Sequence, residues 1–260
     1  MTRYLKLWYR WSVYSAEIAL QSRFGALLFV IGKFIRFGLF LFFIVLISHR
    51  VQIVGGYTLW QVIFLYATFN FIDTLAQFFL REVYRFRYYV ITGEMDYFLV
   101  KPVSPLIRFL FGGGDILDFP LLITSIIFLV FSAIQIGPID SIHLIIFLVL
   151  IVNALFIALS FHIIVLVLGI LTSEVENTLW LYRDLTAMGR IPIDLYKEPI
   201  RWVVTFVIPV GIMMTFPVKA ILGKLDLGLI LFSITLSLGL FIFSLYSWKF
   251  ALRRYSSASS

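Results

Sequence analysis

The chain has 260 residues and a formal net charge of +7, with 62% hydrophobic and only 13% charged residues. A soluble globular domain is closer to half apolar and about a quarter charged, so this composition excludes an ordinary soluble fold and indicates one integral membrane domain, residues 1–260, with no separate soluble unit. The absence of cysteine excludes disulfides and thiolate metal sites, and the surplus of Lys and Arg reads as cytoplasmic loop charge, since no nucleic-acid motif accompanies it.

Residues 1–22 are expected to form an interfacial amphipathic helix. Arg3, Lys6 and Arg10 recur at helical spacing on one face, and Leu5, Trp8, Trp11 and Tyr14 spread over the other. Aromatic residues favour the headgroup zone and basic ones favour anionic lipid, so the helix should lie flat on the cytoplasmic surface. It lacks the clean apolar core and small-residue cleavage site of a signal peptide.

Candidate spans follow at about 20 apolar residues per crossing. They are about Gly25–Ser48, Tyr57–Phe79, Leu117–Ile136 and Ile142–Leu171, the last long enough to tilt. An apolar run at about Val203–Leu222 is broken by Pro209 and Pro217, and a final span at about Leu227–Phe250 leads to a basic tail, 251–260. With six crossings and the N-terminus inside, sixteen Lys and Arg fall inside and three outside, while Lys33 and Arg36 lie within the first span. That asymmetry places both termini in the cytoplasm.

The segment 80–116 is then a cytoplasmic loop. Gly93 breaks one helical pattern, Glu94 and Asp96 suit the N-terminus of a short helix over Glu94–Val100, and Pro102 and Pro105 end it. Phe98 and Leu99 would be apolar groups near water. The triplet Gly112–Gly114 is not followed by a phosphate-loop pattern and reads as a flexible joint into the third span, with Asp115 and Asp118 at the positive end of that span.

Catalytic signatures do not emerge. His49, His143 and His162 lack metal-ligand spacing, and no hydrolase or metalloprotease motif is present. The chain is therefore expected to be no enzyme, to bind no metal or cofactor, and to depend on a partner for any nucleotide chemistry. On the second span Asn70, Asp73, Thr74 and Gln77 align at i, i+3, i+4 and i+7, either lining a path or forming a packing face. At about 1.5 Å rise per residue, Lys33 and Asp73 fall at similar depth. They are expected to pair and hold the first two spans together; the other reading has Lys33 snorkelling to the headgroups and Asp73 facing a wet vestibule.

The order of these parts resembles the membrane subunit of a type-2 ABC exporter, in a family of bacterial permeases of about this length. GGYTLWQVIFLY (55–66) is similar to that family's Gly-Gly-aromatic-Thr start of the second span. ITGEMDYFLVKPVSPL (91–106) is similar to its Gly-x-x-Asp-x-x-Leu-x-x-Pro loop. TFVIPVGIMMTFPVKAILG (205–223) is similar to its proline-containing run, and WKFALRRYSSAS (248–259) to its basic Tyr-Ser end. The resemblance implies an all-α polytopic membrane protein with about six transmembrane helices.

It also implies that Gly93–Val100 is a coupling helix seated on a cytoplasmic ABC ATPase, with Phe98 and Leu99 as apolar contacts, Glu94 and Asp96 as polar ones, and Gly93 and Pro102 bounding them. ATP and Mg would sit on that ATPase. A second permease copy or a related permease would complete the path, in the bacterial plasma membrane, working by alternating access with spans two and five lining it. The family pattern further implies a fifth span over about Glu174–Arg190, IPIDLY (191–196) at the outer face, and a re-entrant hairpin around Pro209. That arrangement puts Arg190, Lys197 and Arg201 outside and Arg183 in the membrane, leaving twelve basic residues inside against six outside. Two readings from other classes are an ion-coupled secondary transporter dependent on Asp73, which would call for internal symmetry that the sequence does not display, and a non-transporting membrane scaffold.

Overall fold

The computed structural model describes residues 2–50, 55–172 and 175–255 and is built of helices. Helix α1 (Thr2–Gln21) is followed by α2 (Arg23–Arg50) and α3 (Leu59–Leu80). A 3-10 turn at Arg81–Arg85 leads into the short helices α4 (Phe86–Ile91), α5 (Glu94–Leu99) and α6 (Pro105–Leu110). The long helices α7 (Phe119–Ile136) and α8 (Ser141–Thr172) come next, then α9 (Val175–Ala187). A bent pair follows, α10 (Ile200–Trp202) with a wide turn to Val207 and α11 (Val210–Ile221), and α12 (Leu227–Arg254) closes the bundle.

Local chemistry sets these boundaries. Gly55 and Gly56 take positive φ (61° and 84°) before α3, and the Thr58 N–H donates to Gln61 Oε1 at 3.2 Å, tying off the helix start. Asp226 accepts from the Leu229 N–H at 3.0 Å and starts α12 in the same manner.

Helix α3 is the central post. Its residues from Val62 to Asn70 are all buried, against α2, α7, α8 and α11. Helices α8 and α12 pack along most of their length. Ser233, Ser237 and Ser244 on α12 are buried, and Asn153 Nδ2 donates to the Ser233 carbonyl at 3.3 Å while its Oδ1 accepts from Ser237. Small residues and one shared amide are a common way for helices to approach closely in lipid.

The start of α1 and the end of α12 lie at one end of the bundle, hereafter the tail end. Trp8 packs on Phe78 and Phe79 with ring centroids 6.3 and 5.8 Å away, and Trp248 packs on Phe109 at 6.4 Å. Helix α1 turns Trp8, Trp11, Ser12 and Ser15 inward and leaves Leu5, Tyr9, Tyr14 and Ile18 exposed beside its basic residues. The aromatic face expected from sequence is thus divided, with the tryptophans packed and the tyrosines outward.

Among the described residues five helical stretches are long and apolar enough to cross a membrane: Arg23–Ser48, Leu59–Ile91, Ile116–Ile136, Ser141–Thr172 and Leu227–Arg254. The segments Ile200–Val207 and Val210–Ile221 meet at 90°. Contacts decide what that bend is. Lys219 and Arg201, toward either end of the pair, both lie near Asp194, and Lys224 Nζ donates to the Gly56 carbonyl at 3.0 Å. The vertex, Ile208 to Val210, lines a cavity with Phe161, Tyr182 and Thr186 in the middle of α8 and α9. The pair therefore enters and leaves at the same end, opposite the tail end, and is a hairpin. The alternative sequence expectation, a single crossing over Val203–Leu222, is corrected.

Helix α9 and the turns after it cross the bundle from the tail end to the hairpin end. Val175 packs at Gly169 and Phe86 near the tail end, whereas Asp194 meets Tyr57 at the hairpin end. Hydropathy masks this crossing because α9 carries Glu176, Arg183 and Asp184. Glu176 pairs with Arg87 at 3.2 Å, Arg183 stacks near the Tyr84 and Trp180 rings, and Asp184 is exposed. Glu174 lies outside the described residues.

Candidate functional site

At the tail end a buried carboxylate organises the loop between α3 and α7. Glu82 is 2% exposed. It accepts from Arg108 Nη1 at 2.8 Å, Arg85 Nη1 at 3.3 Å and Tyr89 Oη at 2.6 Å. Arg85 and Tyr89 come by helical spacing, i+3 and i+7, while Arg108 arrives from α6. The Arg108 guanidinium also lies over Phe98 and Trp11, at 5.0 and 5.2 Å. Charge, rings and helix ends thereby lock α4, α5 and α6 into one platform.

The platform partly covers two of the expected contact residues. Phe98 turns inward onto Tyr89 and Phe109, with centroids 5.3 and 5.6 Å away, and Leu99 is half-buried in the same cluster. The apolar groups that α5 presents outward are Tyr97 and, at its end, Val100, which is 82% exposed; Tyr88 and Ile91 of α4 are exposed beside them. Gly93 starts α5 with φ 74°, a conformation glycine takes without strain. Glu94 is exposed, Asp96 half-exposed, and Pro102 follows with its carbonyl accepting from Arg3 at 3.4 Å. Tyr255 reaches the same place: burial, then the neighbouring Asp96, pushes its phenol above the usual range.

The glycine triplet is no joint. Gly112–Gly114 are buried. Gly113 takes φ 153°, and a Cβ there would stand 2.8 Å from the Trp11 carbonyl oxygen. The Gly114 N–H donates to Ser12 Oγ at 2.9 Å. The triplet is the seat on which α1 crosses the loop, and glycine is needed because backbone meets backbone there.

Just beyond it the structure corrects the intramembrane pair. Lys33 is ion-paired with Asp118, which is 1% exposed, and not with Asp73. Arg81 pairs with Asp115 at 3.2 Å. The 3-10 turn at Ile116–Asp118 carries Asp118 against α2, and Asp73 instead accepts from Gln77 Nε2 at 2.8 Å. The polar row on α3 is divided. Thr74 is buried as packing, Asn70 donates to the Tyr66 carbonyl at 2.8 Å and edges one cleft, and Gln77 edges another. Arg190 lies between the two ends of the bundle. Its guanidinium lies 5.5 Å from the centre of the Phe69 ring, beside the midpoint of α3.

At the hairpin end Asp194 accepts from Tyr57 Oη and Lys219 Nζ, each at 2.7 Å. Burial alone would raise its carboxyl; the bonds from Lys219 and Tyr57 outweigh that and hold it below the usual carboxylate range. Burial and the Asp194 bond push Tyr57 upward. The folded form thus binds fewer protons than the unfolded chain, so this triad's contribution is full above about pH 4 and fades as pH falls through the lowered value. Asp194→Asn is expected to lose about 1–2 kcal/mol at neutral pH and to flatten the acid limb of stability, read by tryptophan fluorescence during unfolding in detergent at pH 7 and pH 3. An unchanged acid limb would assign that limb to other carboxylates.

The described histidines are not brought together. His143 lies 3.8 Å from Asp140 at the start of α8, and His162 is buried with Nδ1 2.8 Å from the Ala158 carbonyl oxygen. The side chain of His49 lies outside the described residues.

These features define a multi-pass α-helical membrane protein with a re-entrant hairpin at one end and a charge-locked helical platform at the other. The sequence model of the family described as ABC-2 family transporter protein matches residues 34–259. The chain belongs to that family and is a permease-type membrane component of the ABC transporter class. It has no match among curated proteins or solved structures.

Proposed function

We propose that the chain is the permease subunit of an ATP-driven exporter in the bacterial plasma membrane, working as a dimer with a second copy or a related permease. A cytoplasmic ABC ATPase docks on the α4–α6 platform, and this chain contributes no nucleotide or metal chemistry; ATP and Mg belong to the partner. The observation that carries the reading is α5, a short helix fixed from behind by Glu82 and Arg108 and presenting Glu94, Tyr97 and Val100 outward. A rigid exposed helix transmits a partner's motion, which a floppy loop cannot. Charge placement agrees with a cytoplasmic tail end. Twelve Lys and Arg belong to that end and five to the hairpin end, while Lys33, Arg36, Arg183 and Arg190 lie between. Closure of the ATPases would move the platforms, and α3 and α9 would rock about a path between the two permeases.

Affinity purification from native membranes in mild detergent tests this. A soluble ATPase is expected to copurify, and Tyr97→Glu with Val100→Glu should cut its recovery by about tenfold or more, as loss of an apolar anchor at an interface does, without changing the chain's elution profile. A chain that arrives alone, yet drives gradient-dependent transport in liposomes, would sink the reading.

A further inference from the structure

The polar row on α3 faces more positive charge than the path or packing readings require. Arg36 from α2, Arg183 from α9 and Arg190 after it border two adjoining clefts of about 270 Å³ each, both lined by Arg36. Arg190 lies within electrostatic reach of Arg36, Arg183 and Asp73. Among the described residues none of the three arginines has a carboxylate within 4.0 Å. Among the described residues Asp73 is the acid whose charge acts on Arg190, and its carboxylate is engaged by Gln77. Lys33 and Arg81, which also line the second cleft, have Asp118 and Asp115. Three guanidiniums at membrane depth sharing one acid are strongly unfavourable unless water or an anion reaches them.

The walls say what kind of anion. Leu39, Phe40 and Phe43 of α2 line the cleft on the hairpin side of Arg36, and α2 runs from the tail end toward the hairpin end. A molecule with its head at the arginines thus has an apolar strip along which a chain can lie. A cation is disfavoured twice: it would meet three like charges, and the Phe69 face that would hold it already carries Arg190. Guanidiniums match phosphate and carboxylate oxygens in forked geometry. Resting on the permease reading above, we propose that this cleft binds the transported substrate and that the substrate is an anionic amphiphile, a phosphate or carboxylate head on an apolar chain, with Arg36, Arg183 and Arg190 holding the head.

The test is equilibrium binding to the purified full chain in neutral detergent, with three probes: dioctanoyl phosphatidate, dioctanoyl phosphatidylcholine and inorganic phosphate. Phosphatidate is expected to bind at least about tenfold more tightly than either of the others, and Arg36→Gln and Arg190→Gln should each weaken it by about tenfold. Lys249→Gln, an exposed cation on α12 near the tail end, should leave it unchanged. Equal binding of phosphatidylcholine, or no change in the arginine variants, overturns the site. Inorganic phosphate binding as well as phosphatidate overturns the amphiphile and leaves a plain ion site. Arginine variants that disrupt the subunit assembly while leaving phosphatidate affinity unchanged overturn the site in favour of an interface between permeases. No ATPase enters this assay, so a chain that recovers its ATPase from native membranes but binds no phosphatidate refutes only the site, whereas a chain that binds phosphatidate but recovers no ATPase from those membranes refutes only the permease reading.

Discussion

Replacing Glu82 with alanine is expected to lower the unfolding midpoint by roughly 10 °C, the largest loss for any single side chain of the tail end. The carboxylate is nearly inaccessible and satisfies Arg108, Arg85 and Tyr89 at once. Removing it leaves the Arg108 guanidinium, whose side chain is 16% exposed, without its acid among aromatic rings. An orphaned buried charge costs about 3–5 kcal/mol, far more than the net worth of the pair. For that reason Glu82→Leu with Arg108→Leu should be milder than Glu82→Ala alone, because no uncompensated charge remains. Gly112→Ala strikes the same point from the other side: its Cβ would fall 1.8 Å from Arg108 Nη1 and 2.4 Å from Glu82 Cγ. Thermal unfolding of the three variants in one detergent gives the order. A Glu82→Ala midpoint within a degree or two of the parent would show that the platform stands without its ion pair.

How far the sequence carries depends on whether a feature is local. The long spans are legible because uninterrupted apolar runs have one physical meaning at membrane length, and α2, α3, α7, α8 and α12 start and stop within a few residues of the expected places. Helix α5 is legible because Gly93 and Pro102 bracket it. Its outward face is not, since Phe98 is partly covered by Phe109 from another helix and nothing near Phe98 in sequence announces that. The crossing through α9 is hidden because Glu176 and Arg183 find partners on distant elements, Arg87 and Tyr84. Glu82 could have been singled out by its i+3 and i+7 spacing to Arg85 and Tyr89. Arg108 could not, because it comes back only after two glycine- and proline-broken turns. The arginine cleft lies beyond reach for the same reason: Arg36 and Arg190 are 154 positions apart, and depth along a helix does not tell which helix stands next to it.

The same limit misassigned Lys33, and the correct partner makes a sharp test. Depth along α2 and α3 favoured Asp73; the loop after the glycine seat delivers Asp118 instead. Asp118→Ala is expected to lose about 3–5 kcal/mol, because Lys33, beside the Phe29 ring, would lose its ion-pair partner. Lys33→Ala should lose a similar amount by orphaning a carboxylate that is 1% exposed. Exchange of the two, Lys33→Asp with Asp118→Lys, should restore part of the loss. It cannot restore all of it, because a cation at position 118 would sit at the start of α7, where the helix dipole favours an anion. The exchange of Lys33 with Asp73 should restore nothing, since Asp118 would then face a second acid. Yield of folded protein and unfolding midpoints of these variants decide the matter. Rescue by the Asp73 exchange in place of the Asp118 exchange would return α2 and α3 to each other and remove the link through which α7 is fastened to the first span.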